Sequence, residues 1–382
     1  MLSNSPELDA VSALAPEISA QSDAIEAARR VPRKIIEKLR RAGVFSMTVL
    51  EAHGGSERDV LDTMAVIEAL SHADAAVGWC AMIYLTTATA TYSLPPDWVG
   101  TVLGAGSPCA IIAGSAQPNG RARRVDGGLQ VSGHWSWGSG VHHCDYICGG
   151  ALIEGESKGA KPHILFFQPE QLTLYDNWNP SGLKGTGSVD FSADNAFVPE
   201  GRWTVLGGSP RQSSRLLARL PYFGMFASCV ACVPLGIARR AIDDFCELAL
   251  TRVPTGGKRA LFESSIVQLD VGRAEALLAS ARHHLFGAMG QVWDKLASGA
   301  RPDIDDLRSL RLAASQTAIS CAEAADIVYH AAGGAAPLPE HPLQRHFRDI
   351  HTATQHAMVG RSLLQRSAAA RLLDLKAGEA GL

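Results

Sequence analysis

The 382-residue chain reads as an α+β protein in which helices come first, a block of strands follows, and a helical bundle closes. Three observations predict this. Apolar residues recur at three and four up to about residue 106, and the texture changes to short alternating segments between about 108 and 212. From about 213 the helical spacing returns. Hydrophobic residues make up 46% and charged ones 19%, a balance that lets a chain bury a large core. The length allows two or three units at a rough ~150 residues each. The expected organisation is an N-terminal α-helical domain over 1–107 and a middle antiparallel β-sandwich or barrel over 108–212. A C-terminal four-helix bundle is expected over 213–382.

Each element follows from its own residues. "IEAARRVPRKIIEKLRRAGVFSM" spaces its apolar positions helically, with Gly43 where a helix should end. "DVLDTMAVIEALSHADAAVGWCAMIYLTTATATYSL" continues with small residues that suit close helix packing, and "LPPDWVGTVLGAG" breaks the run. "CAIIAGSAQ", "ARRVDGGLQVSGHWSWGSG", "YICGGALIE", "HILFFQPEQLTLYD" and "SVDFSADNAFVPE" read as strands with no helices between them, which argues against a Rossmann sheet. Asp126-Gly127-Gly128 is a hairpin turn, where glycine permits positive φ. Helical stretches at 214–250, 262–298, 303–331 and 342–378 predict an up-and-down bundle. Gly333-Gly334 and the prolines at 337, 339 and 342 mark the loop before the last of them.

Composition also excludes. A net charge of −3 without a face-wide basic excess gives no reason to expect nucleic acid. The N-terminus has no basic start followed by an apolar run, so no signal peptide is expected. No uninterrupted apolar stretch reaches the ~18 residues of a membrane helix; "FGMFASCVACVPLGIA" reads as a buried helix. The eight cysteines read as reduced thiols of a cytoplasmic protein, Cys229 and Cys232 being small buried groups on that apolar helix. Neither GxGxxG nor a P-loop nor a GxSxG elbow is present in the required context. The histidines do not take metal-binding spacings.

Two stretches concentrate polar and aromatic chemistry. In "HWSWGSGVHHCDYICGG" two tryptophans two apart share one face of a strand, with Ser139 on the same side. Gly138 and Gly140 let a backbone approach a planar ligand. An indole wall with a serine suits a flat heteroaromatic cofactor, and a pair of core tryptophans fits these residues equally well. In "PLQRHFRDIHTATQH" Arg345, Asp349, Thr352 and His356 line one helix face. That face is either solvated, with an Arg345–Asp349 pair worth a few tenths of a kcal/mol, or a polar stripe aimed into a site.

In order and motifs the chain resembles the acyl-CoA dehydrogenase superfamily, in its two-component flavin-dependent monooxygenase branch. The likeness to the p-hydroxyphenylacetate and phenol-type hydroxylase oxygenase components runs over roughly residues 20–375. It is carried by "LEAHGGSERDVLDTMAVIEALSHADAAVGW", "VSGHWSWGSG", "WNPSGLKGTGSVDFSADNAFVPE" and "AAGGAAPLPEHPLQRHFRDIHTATQH". Many dehydrogenases of the superfamily place a catalytic Glu soon after the "RD" segment. Here "HTATQHAMVG" has no carboxylate, and His356 in "TQH" resembles the hydroxylases.

The resemblance implies an acyl-CoA dehydrogenase-like fold and a homotetramer. It implies reduced FMN, or FAD in its place, delivered by diffusion from a separate NAD(P)H-dependent flavin reductase. Dioxygen is then the co-substrate, through a C4a-hydroperoxyflavin, and an aromatic or polycyclic small molecule is hydroxylated. By the same resemblance His356 and Ser139 are catalytic, and Ser115, Trp137, Ser139, Gly140 and Arg252 bind the flavin, Arg252 through its phosphate. Tyr84, Thr87 and His356 face the substrate. The chain departs from the phenol hydroxylases after "GW", where "GWCAMIYLTTATATYS" offers Tyr84, Thr86 and Thr87 but no histidine. An indole-type hydroxylase or an N- or S-oxygenase of the same branch therefore also fits. So do an acyl-CoA dehydrogenase or oxidase with tightly bound FAD, and a flavin-less scaffold.

Overall fold

Asp74 shows how short signals build the N-terminal layer. Its extended backbone breaks the helical run, and its carboxylate accepts the N–H groups of Ala76 and Val77 at 3.0 and 3.1 Å. Asp74 thereby ends α4 (Val60–Ala73) and caps α5 (Ala75–Ala88). The small residues predicted to allow close packing do so. A Cβ on Gly78 of α5 would lie 2.0 Å from Ser71 Oγ of α4, and one on Gly236 would lie 2.3 Å from the Glu68 carbonyl. α1 (Pro6–Ser19), α2 (Ser22–Ala28), α3 (Arg33–Arg41) and α6 (Pro96–Leu103) complete the layer. In this computed structural model the described residues are 5–104, 109–157, 159–208, 214–369 and 372–373. The expected boundaries at 107/108 and 212/213 lie outside them.

The middle block is one sheet of seven strands: β1 (Ile112–Val125), β2 (Gly128–Gly138), β3 (Tyr146–Ile153), β4 (His163–Phe167), β5 (Thr173–Tyr175), β6 (Val189–Pro199) and β7 (Trp203–Val205), in the order β5-β6-β2-β1-β3-β4-β7. The turn at Asp126-Gly127 forms as expected, with Gly127 at φ 71° and Val125 opposite Gly128. The purely antiparallel expectation needs correction, because β1 and β3 run parallel. The connection between them passes through β2, and this makes the sheet mixed. Register shifts interrupt β1 between Ser115 and Gly120 and β2 between Trp135 and Gly138. Both bulges lie where the sheet borders the cavity described below.

The bundle is built on α7 (Tyr222–Thr251), α8 (Ser265–Ala297) and α9 (Ile304–Ala331). α7 contains an 18-residue window of mean hydropathy 1.5, long and apolar enough to cross a membrane. However, 83% of that window is buried inside the protein, so it is a core helix. The fourth helix is shorter than the predicted 342–378. α10 spans Leu343–Ala353 and ends in a turn, after which a short helical stretch follows at 362–369 among the described residues. Positions 370–371 and 374–378 of the predicted helix lie outside the described residues.

Candidate functional site

A cavity of about 600 Å³ opens where α5, β1, β2, the start of α7 and the turn after α10 meet, a volume typical of small-molecule sites. α5 contributes Trp79, Ile83 and Thr87, spaced by four and therefore on one helix face. Trp137 and Trp178 add two more indoles, and Phe223 and Phe226 extend the apolar wall from α7. None of the described side chains lining it is Asp, Glu, Lys or Arg.

The end of β2 aims its residues differently from the simple alternation expected. Trp135 and Trp137 do not share a face. Trp135 is fully buried, stacked on Phe191 at 5.2 Å, with its indole N–H donating to the Gly150 carbonyl at 2.8 Å. Trp137 is 63% exposed at the cavity. The bulge between Trp135 and Gly138 puts Trp137 at φ 66°, a left-handed conformation costly for a non-glycine residue, and so turns its side chain to the opposite side. Ser139 follows, buried and lining the cavity. It receives the Trp79 indole N–H at 3.0 Å and lies 2.7 Å from Ser188 Oγ.

His356 reaches the cavity from the turn beyond α10, not from a helix face. Its ring packs edge-on against Trp79 and Phe226, with centroids 5.5 and 5.6 Å apart. Its Nδ1 accepts the Met358 backbone N–H at 3.2 Å. This assigns the neutral ring's proton to Nε2, which is then a donor. Burial pushes the imidazole down to about 4, and the nearby Arg311 guanidinium adds to the shift, so the ring is neutral near pH 7. Arg311 is itself buried behind the cavity. Its Nη1 donates to the Phe223 carbonyl at 3.3 Å and contacts Met358 Sδ at 3.6 Å, and its Nε has no protein partner among the described residues.

The rest of the expected polar stripe on α10 does structural work. Arg345 pairs with Asp23 rather than with Asp349. Asp349, buried, accepts the Leu183 N–H at 2.6 Å and so ties α10 to the turn preceding β6. Burial raises its carboxyl to about 7, despite that hydrogen bond and the Arg345 charge. His346 is bonded to Asp244 at 2.7 Å and faces away from the cavity.

Of the residues predicted for the site, Ser115, Trp137, Ser139, Thr87 and His356 come together on the cavity wall. Tyr84 does not. It is buried on the other side of α5, its ring against Phe45 and its hydroxyl donating to the Gly140 carbonyl at 2.9 Å. Gly140 is the support for this contact, since at φ 71° a Cβ there would lie 2.3 Å from Tyr84 Oη. Thr86 is likewise turned inward, to the Met82 carbonyl. Arg252 is exposed just past the end of α7, and Tyr222 at the start of that helix lines the cavity. The 30-residue length of α7 separates them by roughly 45 Å at ~1.5 Å per residue, so one chain alone does not bring Arg252 to the cavity. The expectation missed Trp79, Trp178, Thr186 and Ser188. Trp79 was legible as the start of the 79–83–87 face.

Residues 9–94 match the family model "Acyl-CoA dehydrogenase, N-terminal domain", and residues 228–361 match "Acyl-CoA dehydrogenase, C-terminal domain". The chain is 29% identical over 341 residues to the indole-3-acetate monooxygenase of Pseudomonas putida, covering 89% of this chain and 87% of that protein. It is 27% identical over 368 residues to the p-hydroxyphenylacetate 3-hydroxylase oxygenase component of Acinetobacter baumannii, covering 92% and 85%. The solved structure of XiaF from Streptomyces sp., in complex with FADH2 and glycerol, superposes with a TM-score of 0.90 at 24% identity, covering 97% of this chain and 95% of that one.

Proposed function

The chain belongs to the acyl-CoA dehydrogenase family, and from that premise we propose that it is the oxygenase component of a two-component flavin-dependent monooxygenase acting on an aromatic or polycyclic small molecule. One observation carries the reading: the cavity is walled by indoles, holds a neutral histidine, and has no carboxylate among its described lining residues. Removal of an α-proton from an acyl thioester needs a positioned base, so a dehydrogenase reaction is left without one.

The residues fit the ring of a flavin. Trp79, Trp137 and Trp178 offer flat apolar surface, and the hydroxyls of Ser115, Ser139, Thr186 and Ser188 offer polar contacts along one wall. They do not by themselves fit its phosphate, because no described lining side chain is cationic. Arg252 serves that role only across a subunit contact. The exposed apolar side chains around it (Leu250, Val253, Phe262, Ile266 and Leu269) suit such a contact and support the expected homotetramer.

Bound reduced flavin, FMN or FAD, supplies two electrons to dioxygen, so that one oxygen atom goes to the aromatic ring and the other leaves as water. The protein's part is positional. Phe223, Phe226 and the indoles exclude water, which suppresses wasteful release of peroxide. His356 would donate through Nε2–H to an oxygen on the substrate side, and Ser139 would serve the ring edge of a bound flavin. Electrons come from a separate NAD(P)H-dependent reductase, which fits the names of relatives described as oxygenase components.

The test is to add photoreduced FMN anaerobically, admit oxygen, and measure hydroxylated product and H2O2 with indole-3-acetate, p-hydroxyphenylacetate and unsubstituted indole. Product formed at the expense of H2O2 with at least one of these supports the reading. Failure to bind reduced FMN or FAD, with bleaching of bound oxidised FAD by an acyl-CoA instead, overturns it.

A further inference from the structure

Four polar groups on one cavity wall form a line whose protons can be counted. Trp79 Nε1 lies 3.0 Å from Ser139 Oγ, Ser139 Oγ 2.7 Å from Ser188 Oγ, and Ser188 Oγ 2.6 Å from Thr186 Oγ1. Thr186 Oγ1 in turn lies 2.8 Å from the Leu183 carbonyl oxygen. All four side chains line the cavity. An indole N–H only donates, a carbonyl only accepts, and each hydroxyl has one proton.

The end of the line sets its direction. The Leu183 carbonyl cannot donate, so Thr186 gives it its single proton. Ser188 must then donate to Thr186, and Ser139 must donate to Ser188. At the other end Trp79 donates to Ser139. Ser139 thus has its proton committed and one lone pair taken, leaving one lone pair for whatever occupies the cavity. It is an acceptor only. The anchor is well held: the Leu183 carbonyl also receives the Trp178 indole N–H at 3.1 Å, and the Leu183 N–H is held by Asp349.

We propose that Ser188 and Thr186 are positioning residues that fix Ser139 as a pure hydrogen-bond acceptor, and that this polarity makes the site select reduced over oxidised flavin. The inference rests on the monooxygenase reading and takes N5 as the edge of the flavin ring that Ser139 meets. Reduced flavin carries a proton on N5 and donates. Oxidised flavin has a bare nitrogen there, so two lone pairs would face each other. Accommodating it requires Ser139 to turn its proton to that nitrogen, which costs the line one of its hydrogen bonds. One buried neutral hydrogen bond of this kind corresponds to roughly tenfold in affinity.

Dissociation constants for oxidised and photoreduced FMN, measured anaerobically with wild type, Ser188→Ala and Thr186→Val, test this, together with the midpoint potential of bound FMN. Wild type is expected to hold the reduced form roughly tenfold more tightly through this contact, raising the bound potential by about 30 mV above free FMN for a two-electron couple. Ser188→Ala frees the Ser139 proton. Thr186→Val lets Ser188 donate back to Ser139. Either change is expected to strengthen binding of oxidised FMN and bring the potential back toward the free value, which a merely structural defect would not do. Equal affinities in wild type, or a potential unmoved in both variants, overturns the inference and leaves the monooxygenase reading standing. Absence of reduced-flavin binding to wild type overturns the reading itself.

Discussion

His356 shows what one residue's surroundings decide. Its neutrality comes first from burial among Trp79, Phe226 and Met358, and second from the Arg311 charge behind it. With a value near 4 the ring stays unprotonated across pH 6–9, so a pH profile of hydroxylation should show no acidic limb from His356 in that range. Arg311→Met removes the cation and should move the imidazole up toward its ordinary value near 6.5, read from its NMR titration; an unchanged titration would count against Arg311 as a cause. His356→Ala should cost roughly 10²-fold or more in product formation with FMN binding retained. The histidine's presence in the site was legible through resemblance. Its route there was not, because a face drawn through Arg345, Asp349 and Thr352 assumes a helix that has in fact ended at Ala353.

At the level of elements, the bulge in β2 was the feature that residue alternation could not predict. A run of "HWSWGSG" carries no mark of the extra residue, since Trp137 is not the glycine that left-handed φ usually selects. The consequence separates two tryptophans that look equivalent in sequence. Trp135→Ala should cost about 3–5 kcal/mol in urea denaturation. Trp137→Gly should leave the fold as stable, or about 1 kcal/mol more stable from relief of backbone strain, while weakening flavin binding. Equal losses of stability at the two positions would refute the assignment. By contrast the hairpin at Gly127 and the break at Asp74 were legible, because turn and cap chemistry is local.

A second element-level link is Asp349, which joins α10 to the Leu183 turn. Its carboxyl is raised to about 7 from an ordinary value of 3.8, and a raised carboxyl favours the folded state only while protonated. The penalty is therefore absent below the unfolded value, grows as pH rises, and is complete above about 7. Its full size is on the order of 4 kcal/mol at ~1.36 kcal/mol per unit. Asp349→Asn keeps an oxygen for the Leu183 N–H. It should melt higher than wild type at pH 8, with a gap that shrinks by pH 5. A gap independent of pH would show that Asp349 is ionised in the folded protein throughout.

Over the whole molecule, the cavity exists only because three layers meet: Trp79 comes from the N-terminal helices, Trp137 and Ser139 from the sheet, and Phe226 and His356 from the bundle. The order of those layers was legible in the periodicity, since each spans many residues. What periodicity cannot convey is reach, as Arg252 shows. α7 carries it roughly 45 Å from the cavity its own chain forms, into a tip of exposed apolar residues. If that tip packs on another copy, Arg252 is delivered to a neighbouring cavity and the oligomer completes the flavin site. Ile266→Glu combined with Leu269→Glu should then reduce the particle mass seen by light scattering and weaken FMN binding together. Arg252→Ala in the intact oligomer should reproduce only the loss of affinity. Dissociation that leaves FMN affinity untouched would instead show that each chain holds its phosphate with its own residues, and Arg252 would have no share in the site.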